Sequence, residues 1–320
     1  MKAIRYHEVG GPEVLRFEDV ADPTPGPDQV LIEVAAAGVN YADVRNRLTA
    51  TAATLPAIPG NEAAGTVAAV GPGVTHFIPG DAVVYGNTPG ASAQLALAPA
   101  DRVVKIPAGM DPLLAAAVFV QGLTAHTMGF GAYHLKPGDL ALVHAGAGGV
   151  GGLLTQMVKN AGGRVIATVG SDDKVAAART AGADEVINYN THDFAAEVSR
   201  ITSGRGVNVV FDSVGKATFV KGLDCLGHLG VMVLFGQASG QADPVDVLAL
   251  HRGGQYITRT GMNHFIGTRA ELLSRSYELL SWVIAGKLKV PYTTYPLAEA
   301  AAAHRLIQER RSTGKLLLLP

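Results

Sequence analysis

Apolar and polar positions follow two different rhythms along this chain. Up to about residue 107, short β-rich runs at residues 30–37, 65–70, 82–85 and 103–106 are split by Pro and Gly. Turn clusters such as Pro23-Thr24-Pro25-Gly26-Pro27 and Gly71-Pro72-Gly73 separate them. That rhythm predicts a barrel-like or irregular β domain. From about residue 140, apolar runs at 140–144, 165–169, 185–188, 207–212, 231–235 and 256–260 alternate with helix-like stretches. Strand–helix alternation of this kind predicts a parallel, doubly wound α/β sheet. Two helical segments, 268–285 and 297–310, and an apolar strand at 315–319 do not extend the alternation, which assigns them to the first domain.

The first strand of the second rhythm carries the clearest chemistry. Residues 140–143 lead into Gly146-Ala147-Gly148-Gly149-Val150-Gly151, and an amphipathic stretch without proline follows. Strand, G-x-G-x-x-G turn and helix together form the dinucleotide fingerprint in its proper context. Gly146 then allows the tight turn, Gly148 a close approach to pyrophosphate, and Gly151 close helix–strand packing. The N–H groups of the helix start would hold the phosphates. A chain with 39 glycines produces such spacings by chance, so the flanking elements carry the assignment.

Composition narrows the class. A length of 320 residues gives room for two domains, and 48% hydrophobic with 17% charged residues fits a globular enzyme. A net charge of −1 offers no general attraction to nucleic acid or an anionic membrane. No N-terminal stretch has a signal-peptide layout, and no uninterrupted apolar run approaches the roughly 20 residues of a span. A soluble cytoplasmic protein is expected. Cys225 is the only cysteine, which excludes an intrachain disulfide and a cysteine-rich metal site.

Several ordered motifs then point to a family. They are Met1-Lys2-Ala3-Ile4 with Gly10-Gly11-Pro12-Glu13-Val14-Leu15, Gly38-Val39-Asn40-Tyr41-Ala42-Asp43, and Pro59-Gly60-Asn61-Glu62-Ala63-Ala64-Gly65. Gln121-Gly122-Leu123-Thr124-Ala125-His126, the glycine turn, Ile187-Asn188-Tyr189, Asp212-Ser213-Val214-Gly215 and Gly314-Lys315 follow in order. Over essentially its full length the chain resembles a medium-chain dehydrogenase/reductase. Within that superfamily it resembles the zinc-free NADPH:quinone oxidoreductases, the zeta-crystallin-like branch. The resemblance implies a Rossmann NADPH-binding domain over residues 121–261. Around it, residues 1–120 and 262–320 would form a GroES-like β-rich catalytic domain, with an active-site cleft between the two. It also implies a homodimer whose sixth strands, near residues 256–260, pair edge to edge and satisfy an open strand edge.

Zinc-dependent relatives carry a Cys where this chain has Asn40 and a His where it has Asn61. Zinc takes thiolate and imidazole ligands, and an Asn amide replaces neither. The histidines show no H-E-x-x-H spacing, and His144, ending a core strand, reads as a packed residue. No metal is expected.

NAD-specific sites end their second strand in an acid that accepts from the ribose hydroxyls. Here that strand runs into Gly170-Ser171-Asp172-Asp173-Lys174. Gly170 and Ser171 leave room and a hydroxyl for a 2′-phosphate, and Lys174 adds a cation. The resemblance places Ser171, Lys174 and Tyr189 at that phosphate. Asp172 and Asp173 are the counter-argument, since either could read a ribose. Ser171 also reads as a plain helix cap with acids in the first turn. The balance favours NADPH. The resemblance further places Asn40, Thr124, the turn residues Gly146, Ala147, Gly148, Gly149 and Val150, then Ser213, Val214, Phe235 and Gly236, along the cofactor. Lys315 matches a cofactor-contacting position, with a solvated strand-edge lysine as the alternative.

Without a Lewis acid, simple alcohol–ketone interconversion loses its usual support. A quinone or a carbonyl-conjugated alkene needs only hydrogen-bond donors for its developing charge. Candidate donors are Asn40, Tyr41, Arg45, Arg47, Asn61 and Gln121. Tyr41 reads alternatively as a packed aromatic, and Arg45 and Arg47 as a solvated helical face. Three functions compete: a quinone reductase, an enoyl or alkenal reductase, and a non-catalytic NADPH- or RNA-binding crystallin-like protein. The intact glycine turn and mild net charge argue against the last.

Overall fold

The structure, a computed structural model, describes residues 1–246, 248, 250 and 253–320. It forms two compact units: Met1–Val120 with Thr268–Ile284 and Val290–Pro320, and Gln121–Gly267 with Ala285–Lys289.

The first unit opens with an antiparallel pair, β1 (Lys2–Arg5) and β2 (Arg16–Asp19). Then come β3 (Gln29–Val39), α1 (Tyr41–Thr49), β4 (Glu62–Val70), β5 (Ala82–Gly86), β6 (Leu95–Pro99) and β7 (Val103–Lys105). Strand β3 is the hub, bonded to β4 and β6. Val30, Ile32 and Val34 point into the core while Glu33 faces out, so period-2 patterning fixes its register. The expected strands at 30–37 and 65–70 extend to Val39 and back to Glu62, and those extra residues carry the polar centre described below.

Helix α2 (Pro112–Thr127) passes from the first unit into the second and ends in a π-helical turn, Met128–Ala132. This whole helix is long and apolar enough to cross a membrane, and 72% of its most apolar window is buried inside the protein.

The second unit alternates strand and helix: β8 (Leu140–Val143), α3 (Gly149–Asn160), β9 (Arg164–Val169), α4 (Val175–Thr180), β10 (Glu185–Asn188), α5 (Phe194–Thr202), β11 (Val207–Asp212), α6 (Phe219–Asp224), β12 (Leu226–Leu234) and β13 (Tyr256–Arg259). All six strands are parallel, in the order β10-β9-β8-β11-β12-β13. That is the 3-2-1-4-5-6 order of the Rossmann fold, and its reversal between β8 and β11 marks where ligands bind at strand carboxyl ends. Edge strand β13 leaves Tyr256 and Ile257 exposed.

The chain returns through α7 (Arg269–Ile284), β14 (Tyr292–Pro296), α8 (Ala300–Gln308) and β15 (Lys315–Leu319). Strand β15 lies antiparallel to β3, pairing Leu316 with Val39, and β14 extends the sheet in parallel. The expected return at residue 262 shifts. Residues 262–267 stay with the second unit, where Thr124 donates to the Met262 sulfur at 3.8 Å. Ala285–Lys289 joins them, because Asn160 and Gln156 of α3 donate to the carbonyls of Lys287 (2.8 Å) and Lys289 (2.9 Å).

Candidate active site

Where β3, β4 and β15 meet, the first unit buries an ion pair. Lys315 Nζ and Glu62 Oε2 form a short contact with both side chains at 0% exposure. Lys315 is therefore not a solvated edge residue: β15 is covered on both faces. Gly38 makes the space, since a Cβ there would strike the Glu62 carboxylate and lie 2.7 Å from Lys315 Cε. Glu62 Oε1 also accepts from the Val120 N–H at 2.6 Å.

Asn40 completes this centre. Its Oδ1 accepts from Lys315 Nζ at 2.8 Å, and its Nδ2 donates to Glu62 Oε2 (2.9 Å) and Asn61 Oδ1 (3.1 Å). An amide has two N–H donors, so both are engaged and Asn40 keeps only acceptor capacity. Asn61, half-buried, turns its Oδ1 toward Asn40 and its Nδ2 the other way. Behind them, buried Asp43 accepts from the Asn40 backbone N–H at 2.8 Å. Burial pushes its carboxyl up to about 7, with the Asn40 hydrogen bond and Lys315 only partly opposing.

Helix α1 divides its candidate donors. Tyr41 and Arg45 are exposed, so Tyr41 is no packed aromatic. Arg47, which the sequence offers either as a donor to the acceptor or as part of a solvated face, is fully buried. It donates to Gly10 O (3.0 Å) and Gln308 Oε1 (2.5 Å) and meets His304 Nδ1 at 2.9 Å. Burial, with Arg47 adding, lowers the His304 ring to about 3, so it stays neutral and accepts from the guanidinium.

The second unit builds its candidate site from backbone. Gly148 caps α3 and donates to the Ala145 carbonyl at 2.8 Å. A Cβ on Gly151 would run into that same carbonyl, so helix and turn approach as the fingerprint requires. First-turn N–H groups of such a helix have no intrahelical partner. The Gln121 carboxamide packs on Gly149, and its buried Oε1 has no hydrogen-bond partner.

At the end of β9, the Tyr189 hydroxyl lies over Gly170, and Asn190 donates to the Gly170 carbonyl at 2.6 Å. Ser171 stands at the N-cap position of a short 3-10 turn, Asp172–Lys174, but its hydroxyl makes no capping hydrogen bond. The plain-cap reading of Ser171 thus fails. After β11, fully buried Asp212 fixes the next loop by accepting from the N–H groups of Val214 (2.7 Å) and Gly215 (3.0 Å) and from Thr218. The Phe235 and Gly236 N–H groups both donate to the Asp212 carbonyl, which sets them beside Ser213. His144 is a packed residue: 1% exposed, bonded to Thr168 at 2.8 Å and edge-on to Phe194.

Among the described residues, no group of three or more His, Cys, Asp or Glu could hold a metal ion. Sequence reasoning passed over Glu62, Asp43 and Asp212 as site-building groups, although each sits in a quoted motif. An acid inside a run otherwise built of small and apolar residues was the available signal.

The family described as "Alcohol dehydrogenase GroES-like domain" matches residues 26–108, and "Zinc-binding dehydrogenase" matches 149–278. The chain is 40% identical to a 2-haloacrylate reductase from a Burkholderia species, covering 98% of this chain and 97% of the relative. It is 39% identical to quinone oxidoreductase 1 of Escherichia coli K12, covering 99% of each. The crystal structure of Escherichia coli quinone oxidoreductase complexed with NADPH superposes with a TM-score of 0.95 over 100% of both chains, at 38% identity. Full-length identity at this level, on the same pair of folds, places the chain in the quinone oxidoreductase family of the medium-chain dehydrogenases/reductases.

Proposed function

We propose that this protein is a zinc-independent oxidoreductase that passes hydride from NADPH to a quinone or a similarly conjugated carbonyl acceptor. The Asn40–Asn61 amide pair, seated on the buried Glu62–Lys315 ion pair, carries this reading. It is a hydrogen-bonding centre at the two positions where zinc-dependent relatives hold Cys and His.

NADPH supplies the hydride, and the protein supplies orientation and polarity. In the second unit, the backbone of Gly146, Ala147, Gly148, Gly149 and Val150 takes the pyrophosphate. Gly170, Ser171, Lys174 and Tyr189 take the adenosine 2′-phosphate, the Ser171 hydroxyl being unspent as a cap. Thr124, Ser213, Val214, Phe235 and Gly236 line the nicotinamide end. In the first unit, Asn61 Nδ2 and the Tyr41 hydroxyl stabilise negative charge developing on the acceptor oxygen. Asn40 offers an acceptor to the cofactor, and Lys315 acts on it from behind. Gln121, packed on the turn, completes the polar set. In domain terms, Gln121–Gly267 with Ala285–Lys289 form the NADPH-binding domain, and Met1–Val120 with Thr268–Ile284 and Val290–Pro320 the catalytic domain. The edge position of β13, with Tyr256 and Ile257 exposed, supports a homodimer paired through it.

The test is NADPH consumption with 1,4-benzoquinone, 9,10-phenanthrenequinone and a 2-alkenal in parallel. Turnover of the quinones is expected, and binding of NADPH without turnover of any acceptor overturns the reading. One observation favours a second substrate class. Arg45 is exposed one helical turn from Tyr41, and a 2-haloacrylate reductase is among the relatives. A cation there suits a conjugated carboxylate. Arg45→Ala should then raise KM for a 2-enoate about tenfold, the scale of one charge-assisted hydrogen bond, and leave benzoquinone unchanged.

A further inference from the structure

The carboxylate that an NAD-type site would use is present in this chain, and the structure ties it down. A ribose-reading acid belongs at the end of the second strand of the Rossmann sheet. That strand is β9, and Asp172 follows its last residue by three positions. Asp172 Oδ1 accepts from Asn188 Nδ2 at 2.8 Å. Asn188 ends β10, lies opposite Val169 in the sheet and is buried to 8% exposure. Both oxygens of Asn188 are committed too. Its Oδ1 accepts from the Asn190 N–H at 3.0 Å, and its carbonyl accepts from the His192 N–H at 3.0 Å. The side chain is therefore locked by the turn that follows it.

Direction follows from strand order. β10 flanks β9 on the side opposite β8, whose end carries the glycine turn. A hydrogen bond to Asn188 draws the Asp172 carboxylate outward, toward the sheet edge. Ser171, one residue earlier, is left with its hydroxyl uncommitted to capping.

We propose that Asn188 is a specificity-determining positioning residue, which holds Asp172 on the β10 side and so keeps a negative charge off the adenosine 2′ position. The proposal rests on the NADPH reading above. Released from Asn188, Asp172 would accept from a ribose 2′-hydroxyl and repel a 2′-phosphate, shifting preference toward NADH.

The experiment is a fluorescence titration of NADPH and NADH against wild type, Asn188→Ala, Asp172→Asn and the double variant, with thermal unfolding as a fold control. In Asn188→Ala the ratio of the NADH to the NADPH dissociation constant should fall about tenfold, the lower end for one charge-assisted hydrogen bond at an exposed site. Adding Asp172→Asn should restore the wild-type ratio, which a merely structural loss would not do. Asn188→Asp, isosteric and repelling Asp172, should give the same shift if the alanine variant folds poorly. Equal weakening of both nucleotides, unrepaired by Asp172→Asn, with wild type still preferring NADPH, overturns the positioning role alone. A wild-type preference for NADH overturns the cofactor reading as well.

Discussion

The two units place their polar chemistry in opposite materials. The nucleotide turn of the second unit is mainly backbone, with glycine at four of the six positions from Gly146 to Gly151. The polar centre of the first unit is made of side chains packed together, Asn40, Asp43, Glu62 and Lys315, drawn from three separate stretches of chain. A backbone site is local and carries no net charge to neutralise. A buried charged network is worth keeping only while every member is satisfied. The first unit should therefore respond far more sharply to single changes.

Lys315→Met tests this most severely. It leaves the Glu62 carboxylate buried without its cation, and breaking such a pair costs about 3–5 kcal/mol. Thermal or denaturant unfolding should show that loss, and adding Glu62→Gln should recover much of it. A cost within about 0.5 kcal/mol, as for an ordinary surface lysine, would end the comparison.

Asp43 gives a pH signature of the same centre. Its folded value, about 7, lies above the 3.8 of a free carboxyl. The folded state holds the proton more tightly, so the stabilisation is fully present below about 3.8 and is lost as pH rises toward 7. The slope reaches at most about 1.4 kcal/mol per pH unit. Denaturant unfolding of Asp43→Asn between those limits should lack this decline. His304 works in the other sense: held down near 3, its contribution is present above 6.5 and is lost as pH falls.

The backbone site should give smaller, more selective effects. Gly151→Ala drives a methyl into the Ala145 carbonyl, so the turn must shift, and NADPH affinity should fall roughly tenfold, or about 1.4 kcal/mol. Gly149→Ala meets first the Gln121 carboxamide, the end of a flexible side chain, and should cost much less. Equal losses in both variants would mean that the turn does not discriminate as its geometry implies.

This contrast also explains what could be read from the sequence. Glycine spacing, strand–helix alternation and the Asn40 and Asn61 replacements are local signals, and fold and turn were legible from them. Arg47 and Lys315 were not. Both are cations on elements with a polar neighbour, and sequence alone makes such residues solvated by default. Their burial depends on partners far along the chain: His304 and Gln308 for Arg47, Glu62 and Asn40 for Lys315. Asn188 is visible in the sequence only as part of a motif, because its partner Asp172 lies 16 residues away on a different element.

The distance between Glu62 and its cation has a consequence in time. Lys315 follows Glu62 by 253 residues. At about 5–20 residues per second, a ribosome makes Glu62 roughly 13–50 s before Lys315. For that interval β3 and β4 are both available, but closing them around Glu62 would bury an uncompensated carboxylate. The nucleotide-binding unit, whose strands β8 to β13 all lie between the two residues, meets no such delay. The first unit of this protein thus begins synthesis first and acquires its charge balance after the second unit's sheet has been made.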